Sequence, residues 1–354
     1  MKNKVRLVLL FIATVIIVSC KTDFNVNADY KEVAVVYGLL NQHDSIHYLR
    51  INKAFLGTGN ALEYSQIPDS SSFGGNIDVV LEETLNNGTV KKRVFDTITL
   101  SNKESGEFYS PTQLFYYYKD SPHDSLNPSS SYELKIKDRK TGYTASSKTM
   151  LIHSGSIANY GFRFITPSGN TVDLKQAGSF EWKNALFARR YQLRVFFRYK
   201  ELNFKGDTTR KRIIWTFPEV NSDFHTDENT DPSSSQSNYG ANDFLKFCES
   251  NIPYSDQSIE GDVKARYAST CDLELTAIGD EYCSYLDANG PTSGVLMEKP
   301  SYSNITNGIG FLSSRHVIHL EDIKTKANKE IPLSPATILF LSESSTLKFA
   351  KPAK

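Results

Sequence analysis

The sequence predicts a mainly β protein of two β-sandwich domains, with one or two short helices in the second domain. Runs of alternating apolar and polar residues, such as residues 132–136, are typical of strands with one buried face. Turn residues stand between such runs, most clearly at Asn86-Asn87-Gly88. The 354 residues exceed the usual size of one domain, about 100 to 150 residues. We therefore place the two domains at residues 30–152 and 153–350.

The first domain opens with strands at residues 33–37, 46–51 and 77–81. The Asn-Gly pair at residues 87–88 predicts a hairpin, because it tolerates the positive φ of a tight turn. A second hairpin is predicted around Lys140-Thr141-Gly142. Strands with one wet and one buried face favour a two-sheet sandwich.

The second domain begins with strand-like residues 180–182 and a long alternating run at residues 190–199. Trp182 is interpreted as a core anchor, as in immunoglobulin-like and fibronectin-like sandwiches. Residues 219–241 are polar and predict a loop insertion. The spacing of apolar residues predicts a short helix over residues 242–250, whereas residues 280–286 fit either a helix or a strand.

The N-terminus carries the features of a bacterial lipoprotein signal. Residues 1–19 are interpreted as a signal peptide, because a basic start precedes an apolar run at residues 7–18 and a small residue, Ser19. The run is shorter than the roughly 20 apolar residues that a membrane-spanning helix needs. We expect the mature chain to begin at Cys20, which would carry the lipid, and residues 20–29 to form a linker.

The charge balance argues against nucleic acid as a partner. The chain has 40 basic and 40 acidic residues, and loss of Lys2, Lys4 and Arg6 with the signal peptide leaves 37 against 40, or −3. Binding to phosphate backbones needs a concentrated basic face. The two densest basic runs, residues 91–93 and 210–212, are interpreted as solvated strand edges.

Three cysteines remain after lipidation of Cys20, in a compartment where disulfides persist. We expect Cys271 and Cys283 to form a disulfide, with Cys248 bonded to either of them as the alternative. A zinc site is not expected, because the sequence has no Cys-x-x-Cys pair.

No catalytic motif stands out. The sequence has no Gly-x-Ser-x-Gly elbow, no His-Glu-x-x-His and no phosphate-binding loop. We predict no catalytic residues, no metal and no cofactor, and we do not expect an enzyme. Acidic residues at positions 223, 227, 228 and 231 leave calcium binding open, although their spacing is not that of an EF-hand.

The aromatic run at residues 115–118 is the strongest candidate for binding. Alternation along a strand places two of its rings on each face of a sheet. If one face is exposed, Tyr116, Tyr117 and Tyr118 are candidates for contact with a sugar or a protein. The alternative is that these rings pack in the core.

Three segments resemble the uncharacterised DUF4249 family of lipoproteins from Bacteroidota: residues 36–40, 45–57 and 302–314. The resemblance implies an outer-membrane lipoprotein, often encoded beside TonB-dependent transporters, without an established activity. Lys21, Thr22, Asp23 and Phe24 resemble the signal that sends such lipoproteins to the cell surface. Three-residue segments beginning at Asp44, Asp96, Asp124 and Asp207 resemble the O-glycosylation pattern of this phylum.

These observations lead to a functional hypothesis and to alternatives. We expect a surface-exposed, lipid-anchored outer-membrane protein that acts as a non-enzymatic accessory subunit of an outer-membrane β-barrel, for nutrient import or envelope assembly. A TonB-dependent transporter is one such barrel. The alternative is a surface lipoprotein that binds glycan or peptide. A third hypothesis, a hydrolase whose site assembles in space, requires a cleft that holds His with Ser or an acid.

Overall fold

The mainly β class is confirmed by a computed structural model, whose described part has seventeen strands and four α-helices. The described residues are 32–54, 61–101, 103–106, 109, 111–121, 124–154, 163–165, 171–227, 233–253, 263–290, 301–319, 331–344 and 346–351. The expected signal peptide, Cys20, the export signal and the linker lie outside these ranges. No helix among the described residues is long and apolar enough to cross a membrane.

The strands are β1 (Ala34–Leu40), β2 (Ile46–Lys53), β3 (Ile77–Thr84), β4 (Val90–Val94), β5 (Asp96–Leu100), β6 (Gln113–Lys119), β7 (Ser131–Asp138), β8 (Thr144–Met150), β9 (Arg163–Ile165), β10 (Gly178–Lys183), β11 (Ala188–Asn203), β12 (Thr208–Thr216), β13 (Val220–Asn221), β14 (Ser234–Tyr239), β15 (Val263–Gly279), β16 (Gly308–His319) and β17 (Ile331–Pro332). The helices are α1 (Ala61–Ser65), α2 (Asp243–Asn251), α3 (Asp280–Asn289) and α4 (Pro335–Ser344), with a 3₁₀ turn at Pro68–Ser70. Both predicted hairpins form, as β3–β4 and β7–β8.

A ten-stranded sheet runs through both halves of the chain, in the order β12-β11-β15-β16-β1-β2-β6-β5, with β13 and β17 beside it. Strand β16 joins the halves, because it pairs antiparallel with β15 and parallel with β1. Gly310 makes the parallel contact possible: its φ is 103°, and a Cβ there would lie 2.0 Å from the carbonyl oxygen of Val36.

The first core lies between one end of this large sheet and a four-stranded sheet of order β4-β3-β7-β8. Leu49 on β2 and Leu134 on β7 are fully buried from the two sides. Leu312 on β16 belongs to the same core, although it lies far along the chain. The first half of the sequence is therefore completed by a strand from the second half.

The second core lies on the same side of the other end of the large sheet. Buried side chains of β11 and β15, such as Leu193 and Leu275, pack against helices and a three-stranded sheet of order β14-β10-β9. Trp182 is fully buried in this core, in agreement with its interpretation as an anchor. The chain passes from the first core to the second between Leu151 and Ile152, because Leu151 belongs to the first core and Ile152 to the second.

Two details differ from the predictions. The segment predicted as a loop insertion, residues 219–241, contains β13 and β14, and β14 pairs with β10 along its whole length. Its polar sequence hides the strand, because only Ser237 is buried and backbone hydrogen bonds hold the rest. Three helices of nine or ten residues are described in the second half, since residues 280–286 are helical and α4 adds Leu341 to the core.

Candidate functional site

The aromatic run on β6 divides between the two faces of the sheet. Tyr116 is 1% exposed and lies in the first core, where burial raises the pKa of its hydroxyl to about 12. Tyr118 packs against the same core and against Phe95. Tyr117 lies on the outer face together with Phe115, and both rings contact Tyr48 at centroid distances of 6.4 Å. Tyr116 is therefore corrected from a candidate binding residue to a core residue.

The expected disulfide between Cys271 and Cys283 is not formed. Cys271 lies within β15, and Cys283 lies in α3, which begins only after that strand ends at Gly279. Eight steps along a strand span about 26 Å, whereas a disulfide needs Cα atoms within about 7 Å. Both thiols and that of Cys248 are free and buried, and burial raises the pKa of all three. Such thiols are inert rather than reactive.

The interpretation of residues 91–93 as a solvated edge is wrong for Arg93. This side chain is 1% exposed, and its guanidinium lies 2.5 Å from the carboxylate of Glu83, which is fully buried. The hydroxyl of Tyr132 donates a further hydrogen bond to Glu83. Alternation along β4 turns Arg93 inward, so the site is a buried ion pair and not a surface charge.

The outer face of the large sheet forms the floor of a cleft. Phe311 on β16, Tyr37 on β1 and Arg50 on β2 stand side by side, because Tyr37 is in register with both other residues. Alternation places them opposite the core residues Val36 and Leu312. The cleft has a cavity volume of about 790 Å³. That volume is within the range of about 300 to 1,000 Å³ that small-molecule sites occupy.

Helix α3 forms one wall of the cleft. It begins directly after β15, so that it lies over β16 and presents Tyr282 and Tyr285, which are three residues apart on one helix face. The ring centroids of Tyr282 and Tyr285 are 4.8 and 4.7 Å from that of Phe311. Tyr285 also meets the edge of Tyr37 at 5.9 Å. Burial, with a hydrogen bond that the Tyr285 hydroxyl donates to Tyr37, raises the pKa of Tyr285 to about 12.

The cleft is positively charged. Arg50, Lys53 and Lys103 line it, and none of its lining residues within the described ranges is a carboxylate. Arg50 lies 5.7 Å from the centre of the Tyr37 ring, and its Nε donates to Asn52 at 3.0 Å. No ion pair involves Arg50 or Lys53 within the described part of the chain. Burial, together with repulsion by Arg50, lowers the pKa of Lys103.

The geometry favours binding of an anion that also has an apolar face. The edge-on and tilted rings provide apolar surface, and a guanidinium held by a ring and an amide is oriented before a ligand arrives. Among the described residues that line the cleft there is no histidine, cysteine or carboxylate, the usual groups of acid–base and nucleophilic catalysis. Likewise, no three His, Cys, Asp or Glu side chains gather elsewhere in the described part as a metal site would require.

Sequence reasoning missed this cleft, because its floor comes from Tyr37, Arg50 and Phe311, which only the β1–β16 pairing brings together. The spacing of Tyr282 and Tyr285 was the one local signal, once residues 280–286 are taken as a helix. Tyr117, which was predicted, lies on the same outer face as Arg50, because it is in register with Tyr48. The calcium alternative concerns acidic residues of which positions 228 and 231 lie outside the described residues.

No family model and no curated protein matches this chain. Among solved structures, it is similar to the C-terminal globular domain of an oligosaccharyltransferase from Pyrococcus abyssi, with 9% identity and a TM-score of 0.25. The match covers 68% of this chain and 43% of that chain, so that it spans less than half of the neighbour's length.

Proposed function

We propose that this chain is a non-enzymatic surface lipoprotein that binds an anionic glycan in the cleft between α3 and the outer face of the large sheet. One observation carries the proposal: four aromatic rings in mutual contact and three cations line the same cavity, and no carboxylate is among the described residues that line it. Of the functions expected from the sequence, glycan binding is therefore the one that the cleft supports best.

A sugar ring matches the aromatic wall. Tyr282 and Tyr285 offer apolar ring surface above the buried ring of Phe311, and the hydroxyl groups of the two tyrosines can bond to those of a sugar. Tyrosine gives this contact at small conformational cost, because its side chain has few rotatable bonds. A cavity of about 790 Å³ accommodates a short oligosaccharide rather than one small ion.

The positive charge specifies an acidic sugar. Arg50 is suited to a carboxylate or a sulfate, because its planar fork donates two parallel hydrogen bonds. Lys103 lies close enough to Arg50 for the two charges to repel, which an anion between them would relieve. We therefore place the acidic group of the ligand between Arg50 and Lys103, and its ring against α3.

Lipidation at Cys20, export through residues 21–24 and membership of the DUF4249 family remain proposals that fit this role. A protein anchored at the outer membrane would hold the glycan near the surface. An outer-membrane β-barrel, such as a TonB-dependent transporter, would then receive it. Tagged protein from gently solubilised membranes should therefore co-purify with a barrel; recovery without one would separate ligand capture from the accessory role.

An array of neutral, carboxylated and sulfated oligosaccharides tests the proposal. We expect retention of acidic members only, and loss of that retention in Tyr285→Ala. The matched control is Phe204→Ala, which removes a 67% exposed ring at a hairpin far from the cleft. Equal retention of neutral sugars, or equal loss in both variants, would contradict the proposal.

A further inference from the structure

The far end of the same outer face carries a second concentration of positive charge. Strands β11 and β12 pair so that Arg198 stands opposite Arg212 and Lys200 stands opposite Arg210. The two pairs are two residues apart along each strand. Side chains two residues apart point to the same face of a sheet, so all four lie on one face. Like charges directly opposite each other destabilise a sheet. We call these four residues the cationic face.

Carboxylates of the chain leave most of this charge unneutralised. Lys200, Arg210 and Arg212 are exposed, and none of them has an ion-pair partner among the residues that the structure describes. Arg198 reaches Asp272 at 3.6 Å. By contrast, Arg194 pairs closely with Glu274; it lies on the same face of β11, four residues before Arg198. Positive charge therefore accumulates at one end of the hairpin.

The cationic face is also shaped and partly fixed. It lines a shallow groove with a cavity volume of about 510 Å³, whose other wall is the bulge of β15 at Ser269 and Thr270. The guanidinium of Arg212 lies 5.1 Å from the centre of the Phe196 ring, which holds it by a cation–π contact. No carboxylate is among the described residues that line the groove.

We propose that the cationic face binds a polysaccharide that carries sulfate or phosphate esters. Charges repeat about every 7 Å along each strand and about 5 Å across the pair, which suits ester groups on successive sugars. Strand β12 is the edge of the sheet, so the groove is open on one side and admits a long chain. The even balance of 40 basic and 40 acidic residues fits nucleic acid less well.

This site is separate from the cleft. Arg198 lies beside Asp272, within β15, whereas the cleft lies beyond Gly279, where β15 ends. Seven steps of strand separate them by about 23 Å. The two sites are therefore testable with different variants, and failure of one leaves the other standing.

The test measures binding of heparin, as a sulfated probe, to the purified full-length lipoprotein by calorimetry at several salt concentrations. The double variant Arg210→Gln/Arg212→Gln should bind at least tenfold more weakly. Its salt dependence should fall by about 1.5 in the slope of log Kd against log salt, since each paired anion contributes roughly 0.7 to 0.9. Both arginines are exposed, and melting temperature checks that the variant folds.

The matched control is Lys91→Gln/Lys92→Gln, which removes the same charge from exposed positions on β4 and should change affinity less than twofold. Placed in an Arg50→Gln background, Arg210→Gln/Arg212→Gln should still weaken heparin binding at least tenfold, which separates the cationic face from the cleft. An equal loss in both double variants would overturn the proposal, and so would loss only in Arg50→Gln. Tighter binding of single-stranded DNA or of phosphatidylglycerol vesicles than of heparin would overturn it in favour of those ligands.

Discussion

Two segments of three consecutive basic residues have opposite roles in the fold. They are Lys91-Lys92-Arg93 on β4 and Arg210-Lys211-Arg212 on β12. On β4 every charge has an internal partner: Lys91 pairs with Asp124, Lys92 with Glu82 and Arg93 with Glu83. On β12, two of the three charges face other cations across the hairpin. One run is part of the structure, and the other is available to a ligand.

The difference lies in the neighbouring strand and not in the run itself. Strand β3 supplies Glu82 and Glu83 beside β4, whereas β11 supplies Arg198 and Lys200 beside β12. The cleft follows the same rule, because Arg50 and Lys53 have no carboxylate beside them in the described part of the chain. Basic residues that are neutralised within the fold contribute to stability, and those that are not are candidates for binding.

The largest effect is expected where the charge is buried. Arg93→Met should destabilise the protein by about 3 to 5 kcal/mol, because it leaves the buried carboxylate of Glu83 without its partner. Urea unfolding measures this loss. Lys92→Gln, whose side chain is 65% exposed, should cost less than about 1 kcal/mol. A small effect of Arg93→Met would mean that Glu83 gains a proton or another partner at little cost.

A pH profile distinguishes the cations of the cleft from ordinary surface charges. The pKa of Lys103 is lowered by burial and by Arg50, so it loses its charge below the pH at which an ordinary lysine would. Affinity for an acidic oligosaccharide should be full at neutral pH and fall several-fold as the pH rises through this pKa. Lys103→Arg should keep the affinity to higher pH, because arginine stays charged. The same decline in both proteins would assign it to another group.

A smaller effect concerns the stability of the cationic face. Arg210→Gln/Arg212→Gln should stabilise the free protein by about 0.5 kcal/mol, because it removes two like-charge contacts across the hairpin. Lys91→Gln/Lys92→Gln should change stability in the opposite direction, since it breaks two ion pairs. Melting temperatures at low salt decide the sign. Stabilisation of both variants, or of neither, would remove the distinction between the two runs.

The smallest effect concerns acidic residues, which differ in whether an opposite charge lies beside them. Glu83 is buried beside Arg93, whereas Glu281 is held by hydroxyls, as Ser313 Oγ donates to it at 2.8 Å. Burial raises the pKa of Glu281, so the folded state binds its proton more tightly than the unfolded state does. This contribution to stability falls as the pH rises from 4.5 through the raised pKa. Glu281→Gln should flatten that decline, whereas exposed Glu249→Gln should not.

Local patterns predicted the local part of this fold. Both hairpins follow from their Gly residues: Gly88 and Gly142 have positive φ angles of 81° and 74°. The helix at residues 243–251 follows from apolar spacing. The parallel pairing of β1 with β16 did not follow, because it joins residues about 270 positions apart. No periodicity reports a contact of that kind.

The site depends on that distant pairing, so it was predicted less well than the fold. Tyr116, Tyr117 and Tyr118 were all candidates for binding, but Tyr116 is a core residue. Both basic runs were interpreted as solvated strand edges, which is wrong for Arg93. Their different roles were hidden, because strand register and not sequence decides whether Glu83 or Arg198 stands beside them.

The most direct test is calorimetric titration of an oligogalacturonate, a carboxylated oligosaccharide, into wild-type protein and Arg50→Gln. The proposal predicts binding to wild type, a loss of at least tenfold in Arg50→Gln, and no loss in Lys148→Gln, an exposed cation on the other sheet. Equal affinity of all three proteins would contradict the claim that Arg50 in the cleft marks a binding site.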